Sequence, residues 1–332
     1  MQNFLSLVSS RGLLKSCSLH SESPKSTSSS VGFTNITDLV ENGSIYICTD
    51  ALESFIRDLL PQIRVKFTLC SGDSDRPIDS ALINSLPISG LLNSPYLVNW
   101  FAQNLLCQHP KIHHLPIGFD FHTCWDLPGN YEIDKISPPI QEQQILKIFR
   151  ESAPFIERKI LGYCDWLFTA KRGDRQECIS KIAVDACVRE TARIPRHLCW
   201  VNQSQYAFVI SPQGVGADCH RTWEAIALGC VPVIKKSDLT PLFDKLPVWI
   251  VNDWDQVTLE NMQSQHEIFA QAQYDFSALF LSYWQRKISG YKAQRLPLMN
   301  LVQFREFLVG PWADKVGRLG SKRPTHSSSV PS

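Results

Sequence analysis

Short apolar runs alternate with longer amphipathic segments along most of this chain, in two blocks, and that alternation limits the folds open to it. In the first block, residues 45–48, 65–70 and 112–119 read as strands, with a helix over 51–60. Residues 96–104 suit a strand or a helix equally. Residues 123–142 carry Pro128, Gly129, Pro138 and Pro139 without periodicity, and read as a connection. The second block begins with a helix near 144–156 and a strand over 160–168. A helix follows from Arg175 to about Arg189, then a strand over 206–210, a helix over 218–228 and strands over 231–234 and 248–251. From Asp255 the chain reads as helical to about Val309, and a C-terminal helix is expected to pack back on the first domain. Strands alternating with helices indicate parallel sheets with helices on both faces. Two doubly wound α/β domains place a cleft between them, at the carboxyl ends of the strands.

With 332 residues the chain has material for about two domains. The expected division is a disordered start at 1–34, an N-terminal domain at 35–125, a linker at 126–149 and a C-terminal domain at 150–290. A helical segment at 291–319 and a disordered tail at 320–332 complete it. Residues 21–30 and 320–332 are rich in Ser, Pro and Lys and lack periodicity. Lys and Arg total 33 against 32 for Asp and Glu, so no global field recruits nucleic acid. The longest uncharged run, 80–110, is broken by Pro87, Asn93, Pro95, Asn99 and Gln103, so no membrane span is expected. Eleven scattered cysteines, an odd number with no C-x-x-C pair, suit a reducing compartment, and a cytoplasmic location is expected. The serine-rich first thirty residues read as a polar disordered start or, more weakly, as an organellar transit peptide.

The most informative stretch is 208–234, a strand, loop, helix and strand. Its loop and first helical turn are Ser211-Pro-Gln-Gly-Val-Gly-Ala-Asp-Cys-His-Arg221. Gly214 and Gly216 permit positive φ and close approach of backbone to a ligand. Asp218 is placed to cap the following helix, whose amino end concentrates unpaired N–H groups and suits a diphosphate. Arg221 offers phosphate oxygens a bidentate fork, and Glu224 shares a helix face with His220. A glycine loop before a helix is also a common structural turn, and the third glycine of the dinucleotide fingerprint is missing. The residues alone therefore leave phosphate binding and a plain turn both open.

The same segment, continued by Leu228-Gly-Cys-Val-Pro-Val-Ile234, 239–248 and 251–254, resembles the donor-binding domain of exostosin-like (family 47-like) glycosyltransferases. Similar blocks precede it at 71–75, 100–104, 109–110 and 116–120, so the resemblance runs in order over about residues 45–260. It implies a GT-B fold, two Rossmann-like domains facing a central cleft. It further implies transfer of a sugar from a nucleotide-sugar donor to an acceptor hydroxyl on a glycan or glycoconjugate, without a cofactor or an essential metal. The donor would lie on the C-terminal domain, with Arg221 at the diphosphate and Ser211, Gly214, Gly216, Asp218, His220 and Glu224 around it. Arg172 and Arg175 match the pattern only loosely. They follow a strand end that faces the same site, and an exposed basic turn is their other reading. Lys235 ends another strand there.

An inverting transferase needs a base at the acceptor oxygen. Asp73 and Asp75 follow a strand end expected to face the cleft, and a polar turn explains them as well. Asp120 and His122 are placed where the chain leaves the first domain and are expected to shape the hinge. Two other classes compete. His109, His113, His114, His122 and Cys124, crowded beside Asp120, suggest a metal-dependent hydrolase. Against it, no spacing is diagnostic, and adjacent His113 and His114 on a strand should point to opposite faces. The remaining alternative is a non-catalytic nucleotide or sugar binder.

Overall fold

The computed structural model describes residues 6–126 and 135–309. Its first sheet has the strands β1 (Gly43–Cys48), β2 (Phe67–Gly72), β3 (Leu97–Ala102) and β4 (Ile112–His114), all parallel and side by side in sequence order. Residues 97–102, ambiguous in sequence, thus form a strand. The expected helix over 51–60 is a run of 3-10, α and π turns. Crossovers of one hand, applied to strands in sequence order, all fall on one face. Alternation divides the side chains accordingly. Ile45, Ile47, Leu69 and Trp100 face Phe55 and Leu91 of the connecting segments, while Tyr46, Cys70 and Phe101 face the other way.

That second face is covered by residues 7–17 and by the segment around 279–288 that packs on them. The helix α1 (Ser10–Lys15) is capped by the Ser9 side chain, which accepts from the Gly12 N–H, and buries Leu13 and Leu14. Val8 N–H donates to the Leu279 carbonyl at 2.9 Å, and Leu281 N–H to the Ser6 carbonyl at 2.9 Å. Residues 6–20, expected to belong to a disordered start, are therefore ordered. Leu7, Val8, Leu13 and Leu14 supply the apolar cover that one-sided crossovers leave missing, each burial being worth about 1.5–3 kcal/mol. Residues 21–30 form no helix or strand, but Thr27 N–H donates to the Asp73 carbonyl and Ser54 Oγ to the Ser29 carbonyl, both at 2.9 Å.

From Pro138 the chain runs through α2 (Pro138–Glu151), β5 (Lys159–Cys164), α3 (Arg175–Lys181), β6 (Cys187–Arg189), α4 (Arg196–Gln203), β7 (Tyr206–Ile210), α5 (His220–Ala227), β8 (Val231–Lys235) and β9 (Trp249–Val251). The second sheet is parallel, in the order β9-β8-β7-β5-β6. Two boundaries differ from expectation. α2 starts before residue 144, with proline in its first turn where a missing N–H costs nothing. The helix after Arg175 stops at Lys181, and Cys187–Arg189 pairs with β5 as an edge strand. Residues 127–134, with Pro128 and Gly129, and the tail 320–332 lie outside the described residues.

Beyond β9 come a helix over Leu259–Gln271, then α6 (Leu281–Ile288) and α7 (Leu301–Val309). α6 packs on α1, and its Lys287 reaches over Phe101 of β3. α7 packs on α2, where Phe304 stacks on Phe276 at 3.7 Å and tilts against Phe149 at 5.8 Å. One apolar core runs from Tyr46 and Phe101 of the first sheet to Phe208 of the second and Trp223 of α5. No described helix is long and apolar enough to cross a membrane. None of the eleven cysteines forms a disulfide, and nine are buried.

Candidate functional site

In the second sheet the strand order reverses between β5 and β7, and ligands of open parallel sheets bind outside the carboxyl ends at such a point. Two loops leave there, 165–174 after β5 and 211–219 after β7. They are pressed together at Gly173, whose φ is +57°. A Cβ at that position would collide with the carbonyl oxygens of Gln213 and Gly214. Trp166 holds the first loop down by donating its Nε1–H to the Ile210 carbonyl at 2.9 Å. In the second loop, Ser211 is buried, its N–H donates to Val233 and its hydroxyl meets that of Thr222 at 2.8 Å.

Two guanidinium groups flank these loops. Arg221 donates Nε–H to Asp165 Oδ1 at 3.0 Å, and its Nη1 lies 3.4 Å from both Ser211 Oγ and the Pro212 carbonyl. Arg175 is buried, bonds the Thr169 hydroxyl, lies over the Trp166 ring and keeps a buried Nε–H without a partner. Its Nη2 would lie 3.2 Å from a Cβ on Gly214, so the guanidinium faces the loop. Burial, then repulsion from Arg221, pulls the Arg175 pKa down to about 10. Asp165 also receives a bond from Gln203 at 2.8 Å. Two cations thus face one carboxylate that is already hydrogen-bonded elsewhere. An anion with several acceptor oxygens suits such a place.

Several expectations need correction. Neither Gly214 nor Gly216 has positive φ. Gly216 is needed for space, because a Cβ would lie 2.8 Å from Asp75 Oδ1 and 3.2 Å from Asn104 Oδ1, across the cleft. Asp218 does not cap the helix, whose N-cap is Cys219 without a side-chain bond. Instead its carboxylate accepts from Ile117 N–H at 2.7 Å and Trp223 Nε1–H at 3.0 Å, and its own N–H donates to Asn104 at 2.9 Å, joining the two domains. Burial pushes its pKa up to about 6. His220 Nδ1 bonds the Gly118 carbonyl at 2.7 Å, a second cross-domain tie. Glu224 is buried, where burial raises its pKa against the pull of Arg196 and His220. Lys235 is turned to α3 and pairs with Glu177 at 2.7 Å. Arg172 is exposed.

The two candidate bases separate. Asp73 is buried at φ +54°, is paired with Arg11, and has an unpartnered Oδ1. Burial raises its pKa. Asp75 is exposed and opposes Gly216. Asp120 pairs with Arg196 at 2.8 Å and meets His122 at 3.1 Å. Burial alone would raise its carboxyl, but His220, Arg196 and His122 outweigh that and hold it well below the usual range. His113 and His114, expected on opposite faces, line one cavity, because β4 ends at His114. Among the described residues no three His, Cys, Asp or Glu converge as a metal-holding set.

Asp165, Gly173 and Asn104 were not singled out in the sequence. Asp165 had a signal, a charge at the end of an apolar run. The φ of +52° at Asn104 had none.

No protein-family model matches the chain, and no curated protein sequence is similar to it. Among solved structures it is similar to an α1,3-fucosyltransferase with GDP, at 10% identity and a TM-score of 0.34, over 84% of this chain and 81% of the other. It is also similar to the OtsA apo structure, at 12% identity and a TM-score of 0.39, over 78% and 74%. A third is the E. coli structure titled trehalose-6-phosphate bound with UDP-2-fluoro glucose, at 10% identity and a TM-score of 0.37, over 77% and 75%.

Proposed function

We propose that this chain is a glycosyltransferase that takes its sugar from a nucleotide-sugar donor and passes it to an acceptor hydroxyl. The observation that carries the reading is the pair Arg175 and Arg221, set on two loops at the strand-order reversal of the second sheet. A diphosphate between those loops would meet both guanidiniums. Charge grows on the leaving nucleoside diphosphate as the glycosidic bond breaks, and fixed cations aimed at it lower the barrier without reorganising. Asp75, exposed opposite Gly216, is the group we assign to take the acceptor proton. Asp73, closed off by Arg11, is assigned a positioning role in the turn. Asp218 and His220 hold the two domains at a fixed distance, so the donor loop and Asp75 face each other without a closing step.

The test is calorimetric titration with UDP-, GDP- and CMP-sugars. One of them should bind saturably to the parent protein and at least tenfold more weakly to Arg221→Ala. Equal binding by parent and variant, or no binding of any of the three, rejects the site.

A further inference from the structure

A cavity of about 500 Å³ lies apart from these loops, where the end of β4 meets residues 241–246 and α6. Lys287 stands in its wall. The ammonium lies 5.9, 5.5 and 5.0 Å from the ring centroids of Phe101, Tyr283 and Trp284. Among the described residues no carboxylate or carbonyl accepts a bond from it. Lys287 is half-buried and its ammonium stays open to the cavity, where the surrounding rings supply only part of a counter-charge. His114, across the cavity, has a buried Nδ1 that also lacks a partner. Burial, then Lys287, lowers the pKa of His113 and His114, so both imidazoles are neutral at pH 7.

Charge selects the ligand. Lys245, Lys287 and Arg295 line the cavity beside two carboxylates, Asp244 and Asp275, and Asp275 is already bound by Arg295 at 3.1 Å. The lining is therefore short of one negative charge. A phosphate monoester carries nearly two near neutral pH and over-matches the site, whereas a carboxylate matches it. The half-buried Tyr283 ring offers a flat apolar wall, and the imidazoles offer polar contacts to hydroxyls.

We propose that this cavity binds a sugar acid, its carboxylate against Lys287 and its hydroxyls toward His113 and His114. The proposal does not rest on the donor reading, because the cavity shares no residue with the Arg175–Arg221 site.

Galacturonate is the probe, titrated by calorimetry beside galactose and inorganic phosphate. Galacturonate should bind the parent protein at least tenfold more tightly than either. Lys287→Gln should lose tenfold or more, Lys287→Arg should stay within about threefold, and His114→Gln should lose several-fold. Arg221→Ala should bind galacturonate like the parent. Galactose binding as tightly as galacturonate, tighter binding of phosphate, no saturable binding of galacturonate, or loss on Arg221→Ala would each overturn the proposal. So would a folded Lys287→Gln or His114→Gln that binds unchanged.

Discussion

Arg221 and Arg175 are held near each other by hydrogen bonds and packing, against the repulsion of their like charges. Asp165 and the Ser211 hydroxyl orient Arg221, and the Trp166 ring and Thr169 orient Arg175. An anion between them would relieve that repulsion. Arg221→Ala should therefore lower turnover by about two orders of magnitude, the scale of losing one preorganised donor at a developing charge. Arg221→Lys keeps a charge but loses the planar fork and should recover only part of it. Steady-state kinetics with the donor found by titration decides this, and equal turnover in all three proteins would make Arg221 structural. Asp75→Asn should leave donor binding intact and cut transfer about a hundredfold or more. Asp73→Asn should instead mainly lower the melting temperature, because Arg11 then loses its charged partner. If Asp73→Asn abolishes transfer in a fully folded protein while Asp75→Asn is active, the two roles are reversed.

At the scale of elements, the 211–219 loop depends on a residue outside it. Gly173 packs against the Gln213 and Gly214 carbonyls at positive φ, so Gly173→Ala adds both backbone strain and a steric collision. Donor affinity should fall at least tenfold while the fold survives, read by calorimetry beside circular dichroism; unchanged affinity would separate the two loops functionally. β7, α5 and β8 were legible because each apolar run is bounded by Gly, Pro or a turn cluster, as at Gly229 and Pro232. β6 was not, because a three-residue edge strand carries too little pattern to distinguish it from a helix end. Arg221 and Ser211 were read toward a ligand from their place in the loop, and the structure sets them against each other and against Asp165 of the neighbouring loop. Lys235, Asp218 and Glu224 were read toward the ligand, yet their partners come from segments far away in sequence, Glu177, Ile117 and Arg196. Spacing along one element carries no record of such partners.

For the whole molecule, the decisive feature is that the first sheet winds one way and must borrow its second cover from residues 7–14 and the segment around 279–288. Sequence composition hid this, since the serine-rich start masks the four apolar residues Leu7, Val8, Leu13 and Leu14 that do the covering. The borrowed cover is tied to α2 by Leu7 N–H, which donates to Glu142 Oε1 at 2.7 Å. Burial pushes the Glu142 carboxyl from an ordinary 4.5 up to about 7, against the smaller pull of that hydrogen bond. A raised folded pKa means the native state holds the proton more tightly than the unfolded chain does. The stabilisation is then fully present below pH 4.5 and is lost as the pH rises through 7. Glu142→Gln keeps an acceptor for Leu7 and removes the ionisation. At roughly 1.4 kcal/mol per pKa unit, reduced for partial solvent access, the variant should be more stable than the parent by about 2 kcal/mol at pH 8. Below pH 4.5 the two should melt together, since a neutral carboxyl and an amide then make the same bond. Denaturant melts of both proteins from pH 4 to 8 test this. Curves that stay parallel across the whole range would show that the Glu142 carboxyl titrates alike in the folded and unfolded chain, and that its burial does not couple the amino-terminal tie to pH.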